Sequence, residues 1–573
     1  MNKAARELLE HHFNTAFAAP DGIKKLRELI LTLAMQGKLV AQDPNDQPAS
    51  ELLREIEADK QRLVKKGKIK APKSLPPIKP EEIPYALPGS DSWQAPSKFH
   101  CHPGVNPGHW VWVRLGQIAD YNGRENVNPD SISQDDWILD LEDIEKGTSR
   151  LIYRAKYFER QSKSTKSVFR KGDVLYGKLR PYLDKVLVAE SDGFCTTEIV
   201  PIVSNGAVDP QYLRWLLKRP QFLEHVNSLM YGVKMPRLGT EQAVNSIHPL
   251  PPMAEQHRIV AKIDQLMSRC DELEKLRAER EQRRISIHTA AINRLLSFNG
   301  EITPEAPSNE AWQFITQHFP ELYAVKPNVT ELRKAILQLA VMGKLVPQNP
   351  NDPPASELLK EIEAEKQRLV KEGKIKVSKP LPAIKPEEIP YPVPSGWEWI
   401  RLGDIVDFKT GKLDSNAAVE GGKYPFFTCA KEILQIDTYA FDCEAVLLAG
   451  NNAAGKYDVK HYSGKFNAYQ RTYVITTEFG HTSAVGYGYL KQTLVNMLDD
   501  LQAKSLGTLT RFLTLGILKP IYVPLPPIPE QNRIVAKIDQ LMAFCDSLEQ
   551  QIDAATGKQT ELLNALMAKV SGE

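Results

Sequence analysis

The chain predicts an α+β protein in which two α/β domains are separated by long antiparallel coiled-coil helices, arranged as a pseudo-twofold circular repeat. Three observations carry this prediction. Leu250-Pro-Pro-Met-Ala-Glu-Gln-His-Arg-Ile-Val-Ala-Lys-Ile-Asp-Gln-Leu-Met267 returns 275 residues later as Leu525-Pro-Pro-Ile-Pro-Glu-Gln-Asn-Arg-Ile-Val-Ala-Lys-Ile-Asp-Gln-Leu-Met542. A second block, Leu26 to Val40, returns as Leu332 to Val346 at a shift of 306, and the same shift carries Lys60-Gln-Arg-Leu-Val64 onto Lys366-Gln-Arg-Leu-Val370. Between the copies lie two segments, about 117–249 and 404–524, that do not resemble one another. A frame written twice therefore carries two different inserts. The hairpin block stands at the amino end and in the middle, and the long helix in the middle and at the carboxyl end, which makes the order circular.

The totals narrow the class. At 573 residues the chain exceeds one core and suggests three or four domains. Lys plus Arg number 73 against 71 for Asp plus Glu, so any basic surface must be local. The six cysteines form no CxxC pair and read as reduced thiols, two of them in helical seams. No apolar run approaches the roughly 18 residues of a membrane span, and the polar start lacks a signal-peptide core. A cytoplasmic protein is expected.

The first region, 1–109, holds the hairpin block and a proline-rich linker. A helix is stopped by Gly37, a turn rich in Asp, Asn and Pro follows, and a second helix opens at Pro-Ala-Ser with Ser50 as cap and ends near Gly67. The stretch from Lys73 to Pro88 is too proline-dense for helix and suits extended polyproline II. An insertion around Ser92 to Gly108 carries His100-Cys101-His102, but adjacent ligands without a second pair do not make a zinc site. No metal is expected.

The region 110–249 opens on Trp110-Val-Trp-Val-Arg-Leu-Gly116 and continues in short β-branched runs such as Asp173-Val-Leu-Tyr-Gly and Lys185-Val-Leu-Val-Ala, with a helix near its end. A compact α/β domain with one mostly antiparallel sheet is expected. The region 250–396 then supplies a long helix, the second hairpin with Gly343, Ser356 and Gly373, and the second proline-rich stretch, Lys379 to Pro394. The region 397–524 repeats the tryptophan motif as Trp397-Glu-Trp-Ile-Arg-Leu-Gly403 and carries its own insert of the same class. The region 525–573 is the last long helix.

Both long helices show the seam of a coiled coil. In the second, Ile534, Ile538, Leu541, Cys545, Leu548, Ile552, Ala555, Gln559, Leu562 and Leu566 step by fours and threes; the first keeps the step through Ile259, Ile263, Leu266, Cys270 and Leu273, then resumes at Ile287 and Ala291. At about 1.5 Å per residue each helix reaches roughly 60 Å.

This arrangement resembles the specificity subunit of type I restriction-modification systems over nearly the whole chain. The resemblance rests on Ala-Met-Gln-Gly-Lys-Leu-Val (34–40), Pro-Ala-Ser-Glu-Leu-Leu (48–53), Gly-Trp-Glu-Trp-Ile-Arg-Leu-Gly-Asp (396–404) and Pro-Leu-Pro-Pro-Ile-Pro-Glu-Gln (524–531), each with a second, identical or closely similar copy in the chain. Within the first insert, Gly172-Asp-Val-Leu-Tyr-Gly-Lys-Leu-Arg-Pro-Tyr-Leu183 and Thr196-Thr-Glu-Ile199 look like that family's target-recognition domain; the second has the variant Ser463-Gly-Lys-Phe-Asn-Ala-Tyr469. The family implies two target-recognition domains, each reading half of a split double-stranded DNA site. It also implies helices that set the gap and dock two methyltransferase subunits and motor-nuclease subunits. Those partners would carry S-adenosylmethionine and ATP chemistry, and this chain would need no cofactor.

The residues themselves support a non-catalytic role. Asn351-Asp-Pro-Pro-Ala355 has Ala where an adenine methyltransferase needs a stacking aromatic, and Gly450-Asn-Asn-Ala-Ala-Gly-Lys456 has Tyr457 where a phosphate loop needs a hydroxyl for magnesium. DNA reading needs cations for phosphates and amides or charges for base edges, displayed on loops. The first insert offers Lys178, Arg180, Tyr182, Lys185, Lys234 and Arg237. The second offers Lys409, Lys412, Asn451, Asn452, Lys456, Lys465, Asn467, Tyr469, Gln470, Arg471 and Arg511. Two other readings remain: a protein-only coiled-coil adaptor, which leaves the dissimilar inserts unexplained, and a self-contained DNA methyltransferase, which would bind S-adenosylmethionine alone.

Overall fold

A computed structural model describes residues 3–66, 74–88, 109–160, 162–229, 235–297, 310–373, 384–452, 456–479, 482–483 and 485–571. The chain divides into two compact units, one formed by residues 1–278 together with 556–573 and the other by 279–555. Both mix helices with sheets. His100-Cys101-His102 lies outside the described residues.

Each unit has the helical hairpin, Gly22–Met35 with Ala49–Lys65 in one and Lys326–Val341 with Ala355–Lys371 in the other. The first helix of each ends where Gly37 and Gly343 turn to φ +65 and +69. A Cβ at these positions would lie 2.3 Å and 2.4 Å from the rings of Pro88 and Pro394, so the strap after the hairpin and the glycine require one another. The second helices start differently from the sequence expectation. Their caps are Pro48 and Pro354 with no side-chain cap bond, and Ser50 and Ser356 fall inside the first turn. The open amides are met by tertiary neighbours instead: Ala49 donates to the His109 carbonyl at 3.1 Å and Ala355 to the Gly396 carbonyl at 2.8 Å.

The described parts of the proline-rich straps, 74–88 and 384–394, form no strand and no helix apart from one 3-10 turn each at Pro80–Glu82 and Pro386–Glu388, and the residues flanking those turns are extended. The first strap is fastened by Arg114, which is buried and donates to the carbonyls of Pro76 and Pro77 and to the Glu82 carboxylate. Tyr85 packs edge-on against Trp112 and donates to the Met35 carbonyl; Tyr391 meets Trp399 and the Val341 carbonyl in the same way.

The tryptophan motif closes each insert. Val111–Arg114 pairs antiparallel with Ile247–Leu250, and Glu398–Arg401 pairs with Tyr522–Leu525. The entry and exit of each insert are thus stitched side by side, directly before the long helix. At that helix start two repeated residues become structural. Trp110 Nε1 donates to Glu255 and Trp397 Nε1 to Glu530, both at 2.9 Å. Gln256 and Gln531 each accept a backbone N–H from the insert, that of Asp209 or Gly486, at 2.8 Å. Their amide groups donate back to the carbonyls of Pro251 and Pro526. All four side chains are buried, and burial pushes both carboxyls above their ordinary range while the indole N–H pulls them back.

The long helices span Met253–Ser297 and Ile528–Ser571, 45 and 44 residues, and each continues from one unit into the other. Ile259, Ile263 and Cys270 are buried in the core of the first unit; Ile534, Ile538, Cys545 and Leu548 in that of the second. The expected seam breaks between these anchors, because Leu273 is 41% and Ile287 49% exposed. Apolar spacing alone does not bury a residue where no core faces it. Beyond the break the helices are anchored again: Ile292 and Leu295 enter the second unit's core, and Leu563, Leu566 and Val570 pack on Ala16, Phe17, Ala19 and Leu29 in the first. Arg27 reaches Asp271 and Glu274, and Arg333 reaches Asp546 and Glu549, so the hairpin grips each helix at equivalent places.

Besides its closing strand pair, the first insert holds two sheets, where one mostly antiparallel sheet was expected. One is four-stranded and antiparallel, ordered Ala119–Tyr121, Ile199–Ser204, Val174–Gly177, Val186–Val188; the other is five-stranded, with a parallel pair at Ile138↔Phe194. Val174–Gly177 is buried along its whole length, so it needs an apolar layer on each face. Leu175 packs with Phe169, Leu187, Cys195 and Ile199 on one side; Val174 and Tyr176 join the helix Pro210–Lys218 through Leu213 and Leu217 on the other. The second insert has a six-stranded sheet, ordered Asp407–Thr410, Thr472–Thr476, Phe441–Ala449, Val459–Ala468, Tyr424–Phe427, Leu434–Ile436, with one parallel pairing at Phe426↔Asn467. Its helix, Tyr487–Asn496, covers one face.

The Trp–Glu contact predicts a specific hierarchy. Glu530→Ala strands the Trp397 indole N–H and the Gln348 amide, which also donates to Glu530, and is expected to cost about 1–3 kcal/mol. Glu530→Gln keeps an acceptor and loses less. Thermal unfolding of the two variants checks this, and equal losses would show that the hydrogen bonds are unimportant.

Candidate nucleic-acid interface

In the first insert the strand Val174–Gly177 delivers the chain into a loop, 178–185, that carries four of the candidate residues. The loop contains one 3-10 turn, Pro181–Leu183, flanked by Arg180 at φ +48 and Asp184 at φ +51. Left-handed backbone at two non-glycine residues is strained and needs external support. The backbone supplies part of it: Arg180 N–H donates to the Pro236 carbonyl at 2.8 Å, Lys178 N–H to the Glu198 carbonyl at 3.0 Å, and Leu238 N–H to the Lys178 carbonyl at 3.1 Å.

A buried ion pair supplies the rest. Lys218, on the helix Pro210–Lys218, sends its ammonium to Asp184 Oδ2 at 2.6 Å, the Asp184 carbonyl at 3.2 Å, Ser149 Oγ at 2.7 Å and the Gly147 carbonyl at 2.8 Å. Burial pushes the Asp184 carboxyl up to about 6 although Lys218 pulls it down, and the same burial lowers the Lys218 ammonium. The pair holds the strained loop against the helix.

The candidate side chains then separate by availability. Arg180 and Tyr182 are exposed, and Lys178 is half-buried. Lys185 turns inward, donating to the Leu141 carbonyl at 2.6 Å, with burial lowering its ammonium. Arg237 is clasped by Glu198, whose carboxyl that contact holds below its ordinary range. Lys234 lies outside the described residues. Glu198, in the Thr-Thr-Glu motif, thus acts as a clamp on the loop's neighbour.

In the second insert a chain of backbone contacts gathers most of the candidates. Leu413 bridges to Tyr469, and Gln470 N–H donates to the Leu413 carbonyl at 2.9 Å. Gly450 N–H donates to the Arg471 carbonyl at 2.8 Å, and Asn451-Asn452 pairs with Phe512 and Arg511. Added Cβ atoms at Gly411 and Gly450 would lie 1.7 Å and 2.3 Å from the carbonyls of Ala468 and Arg471, so these glycines permit the approach. Lys412, Asn451, Asn452, Tyr469, Gln470, Arg471 and Arg511 are brought together in this way. Lys412, Gln470 and Arg471 are exposed; Gln470 also reaches Asp414 at 3.3 Å, and Arg511 donates to the Gln502 carbonyl at 3.0 Å. Lys456 is exposed close by in sequence.

Three candidates fall elsewhere. Asn467 is buried, its amide oxygen taken by the Ala468 N–H and its nitrogen directed to the Thr438 carbonyl, because it lies at the parallel pairing inside the sheet. Lys465 stands over the Tyr439 ring near Asp442, and Lys409 is exposed on an edge strand near Asp407. The composition of a glycine-flanked run does not distinguish a loop from an interior strand end. Lys218, Asp184, Ser149 and Glu198 were not legible as loop supports, since their partners lie 34 to 69 residues apart or in another strand's turn. Among the described residues, no group of three or more His, Cys, Asp or Glu could hold a metal ion, and no helix is long and apolar enough to cross a membrane.

A family model for the type I restriction modification DNA specificity domain matches residues 394–555. The chain is 35% identical over 592 residues to the type I restriction enzyme EcoAI specificity subunit of Escherichia coli, covering 95% of this chain and 93% of that one. It is 30% identical over 589 residues to the EcoEI specificity subunit of the same organism, with the same coverage of each. A solved chain from work on complex assembly and conformational transition of the type I R-M system aligns at 20% identity and TM-score 0.48, over 81% of this chain and 97% of that chain.

The buried pair predicts a pH-dependent defect. Lys218→Met leaves Asp184 without its cation and is expected to destabilise the first unit by about 3–5 kcal/mol at pH 8. The loss should shrink at pH 5, because the carboxyl, already near 6 with its partner and higher without it, is then neutral. Denaturant unfolding at the two pH values measures the difference; a loss independent of pH would rule out the ionic account.

Proposed function

The chain belongs to the specificity subunits of type I restriction-modification systems, and on that premise we propose that it reads a bipartite double-stranded DNA site, each insert contacting one half. It is a recognition subunit and not itself catalytic. The observation that carries the reading is that two inserts without common sequence are seated by identical devices: the closing strand pair, the Trp–Glu contact and the Gln that receives the insert's backbone. A repeated seat that accepts unlike inserts is what a protein needs if it must change what it reads and keep what it docks. In the first half-site the exposed Arg180 and Tyr182 are the leading contacts, with Lys178 beside them; in the second, the cluster of Lys412, Asn451, Asn452, Tyr469, Gln470 and Arg471.

The partners follow from the same reading: two adenine-methyltransferase subunits and motor-nuclease subunits, working in the cytoplasm, with S-adenosylmethionine and ATP held by them. The regions 110–249 and 397–524 serve as the two target-recognition domains, and the frame regions 1–109, 250–396 and 525–573 as spacer and docking surface. On one face of a duplex the half-sites would be centred about one helical turn, roughly 34–36 Å, apart or a little more.

Modified-base sequencing of cells with and without this chain, alongside its methyltransferase, tests the function directly. Methyladenine should appear at one split motif only when the chain is present; an unchanged methylome beside an active methyltransferase would defeat the proposal. Exchanging residues 110–249 for the insert of a relative should alter one half of that motif and leave the other intact. Adding seven residues to both long helices, within the partly exposed reach at 273–287 and its counterpart after Ala555, adds about 10 Å. The gap should then lengthen by about three base pairs with the same bases read, given roughly 3.4 Å per pair. Altered bases at a constant gap would reject the spacer role.

A further inference from the structure

Near the end of each insert stands an apolar side chain that the described residues leave exposed. In the first, Met235 is 52% exposed, and the residues after it are tied down. The Pro236 carbonyl receives the Arg180 N–H, Arg237 bridges to Leu179 while its guanidinium is held by Glu198, and Leu238 N–H donates to the Lys178 carbonyl. In the second, Leu509 is 87% exposed, the most exposed large apolar residue among those described. It rides a short turn that begins at Gly507, φ +95, and is closed where Leu506 and Phe512 exchange backbone hydrogen bonds at 3.0 and 2.8 Å. Arg511, two residues on, pairs with Asn452 and donates to the Gln502 carbonyl.

The two places correspond. Both segments lie just before the strand that closes the insert, Ile247–Leu250 or Tyr522–Leu525. In both, an apolar residue and one spacer precede an arginine whose guanidinium is engaged inside the protein. Both arginines anchor the segment beside the loop that follows a central strand, Val174–Gly177 or Phe441–Ala449. A single exposed apolar side chain is ordinary. Its recurrence at the same step of two otherwise unrelated inserts, amid cations and amides, points to a shared use.

We propose that Met235 and Leu509 contact bases, each packing on the 5-methyl group of a thymine in its half-site. The polar side chains around them can read donors and acceptors, whereas the apolar group that a base edge presents in the major groove is the thymine methyl. A half-site methylated at adenine contains an A·T pair, so a thymine is available. The anchored backbone beside each apolar residue lowers the ordering needed on binding. This inference rests on the DNA-reading function proposed above.

The test uses the full chain assembled with its methyltransferase and a duplex carrying the mapped site. Each thymine is replaced in turn by deoxyuridine, which removes the methyl and leaves the hydrogen-bonding edge unchanged. One position in each half should weaken binding by the wild-type complex roughly threefold to tenfold. Leu509→Ala should abolish the sensitivity in one half, and Met235→Ala in the other. Equal sensitivity in wild type and variants, or none in wild type, would overturn the inference. So would a defect of Leu509→Ala confined to subunit assembly, which would place the residue in a protein interface. Brightening of 2-aminopurine beside one step without any deoxyuridine effect would overturn it in favour of a wedge between bases. A wild-type complex that does not prefer the mapped site over random duplex would bring down the DNA-reading function and the inference together.

Discussion

The structure depends on the buried Glu-Gln pair at the first turn of each long helix. Glu255 and Glu530 take the indole N–H of the tryptophan that opens the insert; Gln256 and Gln531 take the backbone N–H of the residue that caps its helix, Asp209 or Gly486. Two adjacent side chains therefore hold the opening tryptophan and an interior helix start of a domain of more than a hundred residues to one helix terminus. Buried acceptors of this kind are satisfied by one arrangement and left unpaired by others, so they specify geometry more than they add stability. The prolines before them stop the preceding strand and leave carbonyls that the glutamine amides use.

Given that seat, the inserts are free to differ. The first is built as two larger sheets over a shared apolar layer, the second around a six-stranded sheet capped by a helix, with short two-stranded pairs beside it. Both deliver their polar loops from strands that are themselves buried, which is how a rigid scaffold positions residues on loops. The supports differ in chemistry. In the first insert an ion pair, Lys218 with Asp184, holds a strained turn from beneath; in the second, backbone ladders and close glycine approaches do the same work without charge. Engaged arginines are part of these supports, so a basic side chain in such a loop is as readily a brace as a reader.

The helices show the same economy. Their buried anchors lie where a unit's own core meets them, and the residues between, Leu273, Leu276 and Ile287, are exposed although their spacing continues the apolar pattern. A stretch so lightly packed tolerates changes of length better than the anchored ends do.

What the sequence determined by itself was the architecture of the frame. Duplication at fixed shifts, glycine stops, proline-dense straps and the three-four apolar step are local or periodic signals, and local signals survive in one dimension. The hairpins, the long helices and the α+β inserts were legible for that reason; of the candidate contacts, Arg180, Tyr182, Lys412 and Arg471 are ones that the fold leaves exposed. Tertiary structure decided the rest. Only the fold could show that Ser50 is not a cap, because the helix already begins at Ala49, with Pro48 in the cap position. Only the fold could show that Asn467 is interior, that Arg237 belongs to Glu198, and that Lys218 supports a loop in another part of the chain. These outcomes depend on which distant group arrives first at a donor or a charge, and no periodicity in the sequence encodes that competition.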